Sequence, residues 1–135
     1  MIYLLDTNVI SDLIVKHPIV TRRVEEHKLK ADELIVCQPV YYELMRGLIR
    51  TRSTKKLAVL TNQLLPGFAW QQLDRQDWLQ AAHYWSNAIN IGKQLSDMDL
   101  LIAAMVTRLN AVLVSADTDF DALPVKREDW RLASS

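Results

Sequence analysis

Acidic side chains recur at five places in this chain: Asp6, Glu43, the Asp97/Asp99 pair, Asp117 and Asp119. Each stands where a short apolar run gives way to helical spacing, or in the early turns of such a segment. Carboxylates brought to one place repel one another, and burying even one unpaired charge is costly for a small domain. A cation removes the conflict. Donors that are all oxygen, with no His or Cys among them, favour Mg²⁺ or Mn²⁺ over zinc. Such ions bind phosphate oxygens and activate water for in-line attack on phosphorus. The chemistry open to this set is metal-dependent phosphodiester hydrolysis.

Each acid also has a local explanation. Asp6 can cap the helix that follows it, a role that stabilises by about 0.5–2 kcal/mol. Asp99 completes the pattern Ser96-Asp97-Met98-Asp99, which has the form of a capping box. Asp117 and Asp119 can close Asx turns before Phe120. Glu43 differs, because Tyr41, Tyr42, Leu44 and Met45 surround it and no cap role exists in mid-turn. Taken singly, the structural readings stay open. Convergence of the set on one edge is what favours a metal.

Convergence requires particular elements. Ile2-Tyr3-Leu4-Leu5 reads as a buried strand ending at Asp6, with a helix over 8–16 behind it. Pro18 starts a second helix, 33–37 forms a strand, and Pro39 opens a helix to about residue 50. Ser53 is placed to cap a further helix that Pro66-Gly67 closes. A weak strand over 69–73 precedes a long helix capped by Asp74 and Asp77. The run 100–106 is apolar on all sides, as in a helix buried between layers. Asn110 ends it, 112–114 is a buried strand, and a last strand is expected around 125–126. Strands alternating with helices predict an α/β chain with a parallel sheet. In such sheets ligands collect at the carboxyl ends of the strands, where Asp6 and Asp117 would lie.

Composition narrows the class. At 135 residues, half of them hydrophobic, with three glycines and four prolines, the chain suits one folded domain spanning 1–135. Cys37 is the lone cysteine, which excludes an internal disulfide and a Cys-based zinc site. No basic-then-apolar leader and no bilayer-length apolar run is visible, so a cytoplasmic location away from membranes is expected. Net charge is zero, unlike a protein that grips nucleic acid over a broad face. The charge is uneven, however. Residues 44–73 contain no acid, and Arg46, Arg50, Arg52, Lys55 and Lys56 crowd their first half. A basic flank beside acids suits a phosphate-bearing substrate next to metal, although a solvated helix face has the same composition.

Four motifs occur in order along the chain: Asp6-Thr7-Asn8, the Tyr-Tyr-Glu43-Leu-x-Arg-Gly segment, Asp99-x-x-Ile-Ala-Ala, and Leu113-Val-Ser-Ala-Asp117-x-Asp-Phe120. Together the sequence resembles the PIN-domain ribonucleases, specifically the VapC-type toxins of toxin–antitoxin pairs. The resemblance implies a PIN-like three-layer α/β/α sandwich with a mainly parallel central sheet of four to five short strands. It implies that Asp6, Glu43, Asp99 and Asp117 are the catalytic, metal-binding carboxylates for Mg²⁺ or Mn²⁺, with Asp6 and Asp99 the firmest ligands. Thr7 and Ser115 would orient carboxylates or a water, and Asn8 would sit beside Asp6. Asp97, two residues from Asp99, faces away from it on a helix. Asp119 would support Asp117. RNA contact would fall to Arg46, Arg50, Lys55 and Lys56. The family also implies an RNA substrate (tRNA among the possibilities), a cognate antitoxin over the helices around 8–30 and 39–65, and a homodimer. Ser115 departs from the commoner threonine.

Two other readings belong to different classes. One is a PIN fold kept as a binding protein with weak catalysis, against which all four acids are present. The other is an aspartyl-phosphate phosphatase with Asp6 as nucleophile, which wants a second aspartate where Asn8 stands. His17, His27 and His83 share no spacing with the acids and carry no catalytic expectation. Trp78 and Trp85, one heptad apart, read as a core or partner-facing stripe rather than a base-stacking platform.

Overall fold

The computed structural model describes residues 1–132. Five strands, β1 (Ile2–Leu5), β2 (Glu33–Cys37), β3 (Ala69–Gln71), β4 (Val112–Val114) and β5 (Arg127–Glu128), form one sheet in the order β3-β2-β1-β4-β5. Every pairing is parallel, with Tyr3 beside Leu34 and Val112, and Leu4 beside Ile35 and Leu113. Successive residues of a strand point to opposite faces. Tyr3, Leu4 and Leu5 are all buried, as are Leu34 to Cys37 and Val112 to Val114, so both faces of the central strands are covered. That is the doubly covered, all-parallel case.

Six α-helices supply the cover: α1 (Thr7–Ile14), α2 (Pro18–Leu29), α3 (Gln38–Arg50), α4 (Thr54–Val59), α5 (Arg75–Asn90) and α6 (Asp97–Leu109). The sequence of α6 dictates its place, since Leu100 through Val106 are buried without a break. It is tied to α5 by a buried ion pair. Arg108 donates to Asp77 from Nε at 2.9 Å and from Nη2 at 3.1 Å, and Nη2 also reaches the Gln72 carbonyl at 3.2 Å. Asp77 in turn accepts from the Asp74 amide at 2.8 Å, closing a capping box at the start of α5. No helix among the described residues is long and apolar enough to cross a membrane.

Several expectations shift in detail. The last strand lies at Arg127–Glu128 rather than 125–126, because ladder bonds from Leu113 and Ser115 reach the Lys126 and Glu128 carbonyls. The weak strand over 69–73 is real but stops at Gln71. Ser53 occupies the cap position without using its hydroxyl on the helix; that hydroxyl meets Thr51 at 2.7 Å instead. Beyond Val59 the helix widens into a π-helical stretch, Leu60–Leu64, and a 3₁₀ turn, Leu65–Gly67. The widening keeps Leu60 fully buried. At Ser96 only half of the expected capping box forms, the Ser96 hydroxyl accepting from the Asp99 amide at 3.2 Å. Trp130 is 1 % exposed and stacks on His27 with centroids 4.3 Å apart, so it is part of the core.

Candidate active site

The sheet order creates the site. From β1 the chain moves to β2 on one side, and later returns to place β4 on the other, so a crevice opens at the carboxyl end of β1. Asp6 leaves β1 into that crevice, and residues 115–117 leave β4 beside it. Glu43 arrives in the second turn of α3, and Asp99 in the first turn of α6.

Asp6 is the N-cap of α1 and is 5 % exposed. Its Oδ1 accepts from the Thr7 amide at 2.8 Å. Its Oδ2 accepts from the Ser115 hydroxyl at 2.7 Å and from Asn8 Nδ2 at 3.2 Å. Capping and site placement therefore coexist. Asn8 is the bridge: its Nδ2 also meets Ser115 Oγ at 3.1 Å, and its Oδ1 accepts from the Ala116 amide at 3.1 Å. Ser115, wholly buried, accepts in addition from the Asp117 amide at 3.0 Å. Thr7 donates its hydroxyl to Glu43 Oε1 at 3.0 Å, while Arg46 lies 3.8 Å from Oε2 and over the Tyr42 ring.

These acids feel one another. Burial raises the Asp6 carboxyl above its ordinary range and Asp117 adds to that, although Ser115, Thr7 and Asn8 pull it back. Glu43 is raised by burial and by Asp6, offset by the Thr7 hydroxyl and Arg46. Asp99 is pushed up to about 6, by burial first and then by the charges of Asp6, Asp117 and Glu43, with a hydrogen bond from Ser96 pulling the other way. That Ser96 hydroxyl, which accepts from the Asp99 amide, is the one neighbour that pulls the Asp99 carboxyl back down. The neighbouring Cys37 thiol is pushed up to about 12 by burial and stays protonated, which removes it as a nucleophile.

The donor set suits a hard divalent cation. Among the described residues no three His, Cys, Asp or Glu side chains are grouped closely enough to hold a metal ion by themselves. Mg²⁺ is commonly held by one or two carboxylates with waters completing its shell, so an open set of acids is compatible with it. Asp117 Oδ1 accepts from the Asp119 amide at 2.9 Å, and the Asp119 side chain is exposed beside it. Asp97 lines a groove between α5 and α6 with Trp78, Trp85 and Met98. Of the basic residues, Arg46 reaches the cluster; Arg50, Lys55 and Lys56 lie exposed further along α3 and on α4 and, among the described residues, make no ion pair with the acids.

A family model described as PIN domain matches residues 3–126. The chain belongs to the PIN-domain family. This PIN domain is 29% identical to Ribonuclease VapC1 of Haemophilus influenzae (strain R2866), the alignment covering 96% of the chain and 98% of that protein. Among solved structures it is similar to VapBC-1 from nontypeable Haemophilus influenzae, at TM-score 0.77 and 26% identity over 98% of this chain and 100% of that one. It also matches VapBC2 from Rickettsia felis bound to a promoter DNA fragment, at TM-score 0.82 and 24% identity over 96% and 99% of the two chains. At that identity the second likeness speaks for the fold alone.

One residue of this PIN domain's site escaped the sequence reading. Arg127 donates from Nη1 to the Ser115 carbonyl at 3.0 Å and grips Asp121 from Nε and Nη2 at 2.9 and 3.0 Å. It thereby fixes the loop that carries Asp117. The only signal was an opposite-charge pair six residues apart, which is too common to single out.

Proposed function

We propose that this PIN domain is a Mg²⁺- or Mn²⁺-dependent endoribonuclease, the toxin member of a toxin–antitoxin pair acting in the cytoplasm. The carrying observation is the convergence of four acids at the carboxyl edge of the sheet, where Asp99 is raised by burial first and then by the charges of Asp6, Asp117 and Glu43. Asp6 and Asp99 would hold the ion, with Glu43 and Asp117 completing its surroundings directly or through water. When bound, the ion supplies charge neutralisation at the scissile phosphate and a water of lowered pKa. The chain's own residues do the positioning. Ser115, Asn8 and the Thr7 amide hold Asp6 in one orientation, and the Thr7 hydroxyl holds Glu43. Arg46, exposed beside Glu43 and over the Tyr42 ring, stands where it can meet a phosphate oxygen from the β2 side of the crevice. The phosphatase reading finds no support, because both ends of the Asn8 amide are engaged in bridging Asp6, Ser115 and Ala116.

Purified protein should cleave RNA with Mg²⁺ or Mn²⁺, lose that activity with EDTA, and lose it in Asp6→Asn with an unchanged circular dichroism spectrum. Metal-independent cleavage that survives the substitution would overturn the reading.

Two protein partners follow from it. The VapBC relatives are toxin–antitoxin complexes, and exposed apolar side chains on α2 and α3, among them Leu29, Tyr42 and Ile49, suit an antitoxin segment laid along those helices. A second copy suits α5. Trp78, Ala82, Trp85 and Ile89 repeat at heptad spacing along its exposed side, with the two tryptophans 57 % and 52 % exposed. Residues 78–91 contain no Asp, Glu, Lys or Arg, so like meets like without repulsion. A two-fold antiparallel pairing would set each Trp85 against Ala82 of the second copy and each Trp78 against Ile89.

A further inference from the structure

On the side of the crevice away from Arg46, residues 91–96 face the 3₁₀ turn Thr118–Ala122 across a cavity of about 380 Å³. Ile91, Lys93, Gln94, Leu95, Thr118 and Asp119 line it. The volume falls within the roughly 300–1,000 Å³ of small-molecule sites, enough for one base and part of its ribose.

The walls are anchored by backbone. The Ile91 and Lys93 amides both donate to the Ala88 carbonyl, at 3.2 and 2.8 Å, and the Gly92 amide donates to Ile89 at 3.0 Å. Gly92 takes φ +75°, a conformation open to glycine, and this turns the chain back out of α5. At the far end Ser96 caps α6. The polar lining is unspent. Among the described residues the side chains of Lys93, Gln94, Thr118 and Asp119 make no hydrogen bond or ion pair, whereas Asp121 is committed to Arg127. The walls also adjoin the acids in the chain: Asp119 is two residues past Asp117, and Leu95 is four before Asp99.

We infer that this cavity reads the base of a nucleotide beside the scissile phosphate, accepting a base with an exocyclic amine in preference to uracil. The inference rests on the nuclease reading above. A carboxylate only accepts hydrogen bonds. Adenine, cytosine and guanine each bring an amino group to Asp119, and guanine sets two donors side by side. Uracil instead offers one N–H between two carbonyl oxygens, which face the carboxylate unfavourably. Gln94 supplies both a donor and an acceptor for the rest of the base edge. Ile91 and Leu95 flank the base plane, and Lys93 meets the adjoining phosphate.

The experiment uses short single-stranded oligoribonucleotides that differ at a single position beside the cleaved bond, cut by the full chain with Mn²⁺. Relative kcat/KM is measured by competition. The wild type should cut the A, C or G members about tenfold faster than the U member, in line with the discrimination of a well-formed base contact. Gln94→Ala and Asp119→Asn should each shrink that ratio to within about threefold. Because the ratio is internal to each variant, a general loss of activity does not mimic it. Lys93→Ala should slow all four alike. Calorimetric titration of Gln94→Ala with Mn²⁺ should match the wild type. A wild-type ratio near one, a preference for uracil, or a ratio unmoved in both variants overturns the subsite while leaving the nuclease reading intact. Absence of any RNA cleavage by the wild type overturns both.

Discussion

Replacing Asp99 by asparagine should make the metal-free protein more stable while abolishing its activity. The Asp99 carboxyl titrates near 6 in the fold against an ordinary 3.8, so the folded state prefers it neutral. A raised folded pKa means that stability is fully present below the unfolded pKa and is lost as pH rises through about 6. Two units correspond to about 3 kcal/mol if fully felt. Asp99 is only partly buried, and solvent screening reduces this to about 1–2 kcal/mol. Removing the charge also forfeits about 0.3–1 kcal/mol of interaction with the start of α6. The net gain at pH 7.5 is about 1 kcal/mol, or roughly 3–5 °C in Tm for a chain of this size. The assay is thermal and urea unfolding of both proteins in EDTA at pH 4 and pH 7.5. The difference should appear at pH 7.5 and vanish near pH 4. Added Mn²⁺ should raise the wild-type Tm and move the variant's much less, since only a folded-state ligand site stabilises by mass action. A variant less stable than wild type at pH 7.5, or a gain equal at both pH values, would refute the argument that these acids repel one another.

Ser115→Ala should cost about 1–3 kcal/mol in urea unfolding, because it leaves Asp6, Asn8 and the Asp117 amide each short of a partner in a buried place; a neutral result would mean the network is dispensable. Arg108→Met strands the Asp77 carboxylate in the core and should cost about 3–5 kcal/mol, with much of the loss recovered on adding Asp77→Asn. Trp85→Glu, at an exposed position, should leave Tm nearly unchanged and shift sedimentation from dimer to monomer. A wild type that sediments as a monomer at tens of micromolar would remove α5 as a homotypic face.

The sequence announced its central strands and its most buried helix plainly. Tyr3-Leu4-Leu5, Leu34 to Cys37 and Val112 to Val114 are unbroken apolar runs, and such runs have no alternative to the middle of a covered sheet. The edges were less legible. β5 consists of Arg127 and Glu128, whose strand character comes from pairing with β4 and not from any apolar pattern. Helix ends were obscured where Lys16, Ala31 and Arg52 take positive φ in place of the usual glycine, whereas Asn110, a residue that tolerates that conformation, marked the end of α6. Of the site, the acids could be named from position, but Asn8 could not be seen as the bridge to Ala116, nor Arg127 as the clamp on residue 115. Those roles depend on which strand lies beside β1, and the order β2-β1-β4 is a property of the folded sheet.

The bonds that join Asp6 and Asn8 to Ser115 and Ala116 span 107 to 109 residues of chain. That separation has a consequence in time. The first strand made waits until β4 has been synthesised and docked before Asp6 acquires its orientation, and no shorter piece of the chain contains both walls of the crevice. Closing so long a loop is slow relative to local helix formation. A nascent or half-folded chain therefore carries its acids without the cutting edge, and a cell translating this message is exposed to the nuclease only after β4 and residues 115–117 have docked beside β1.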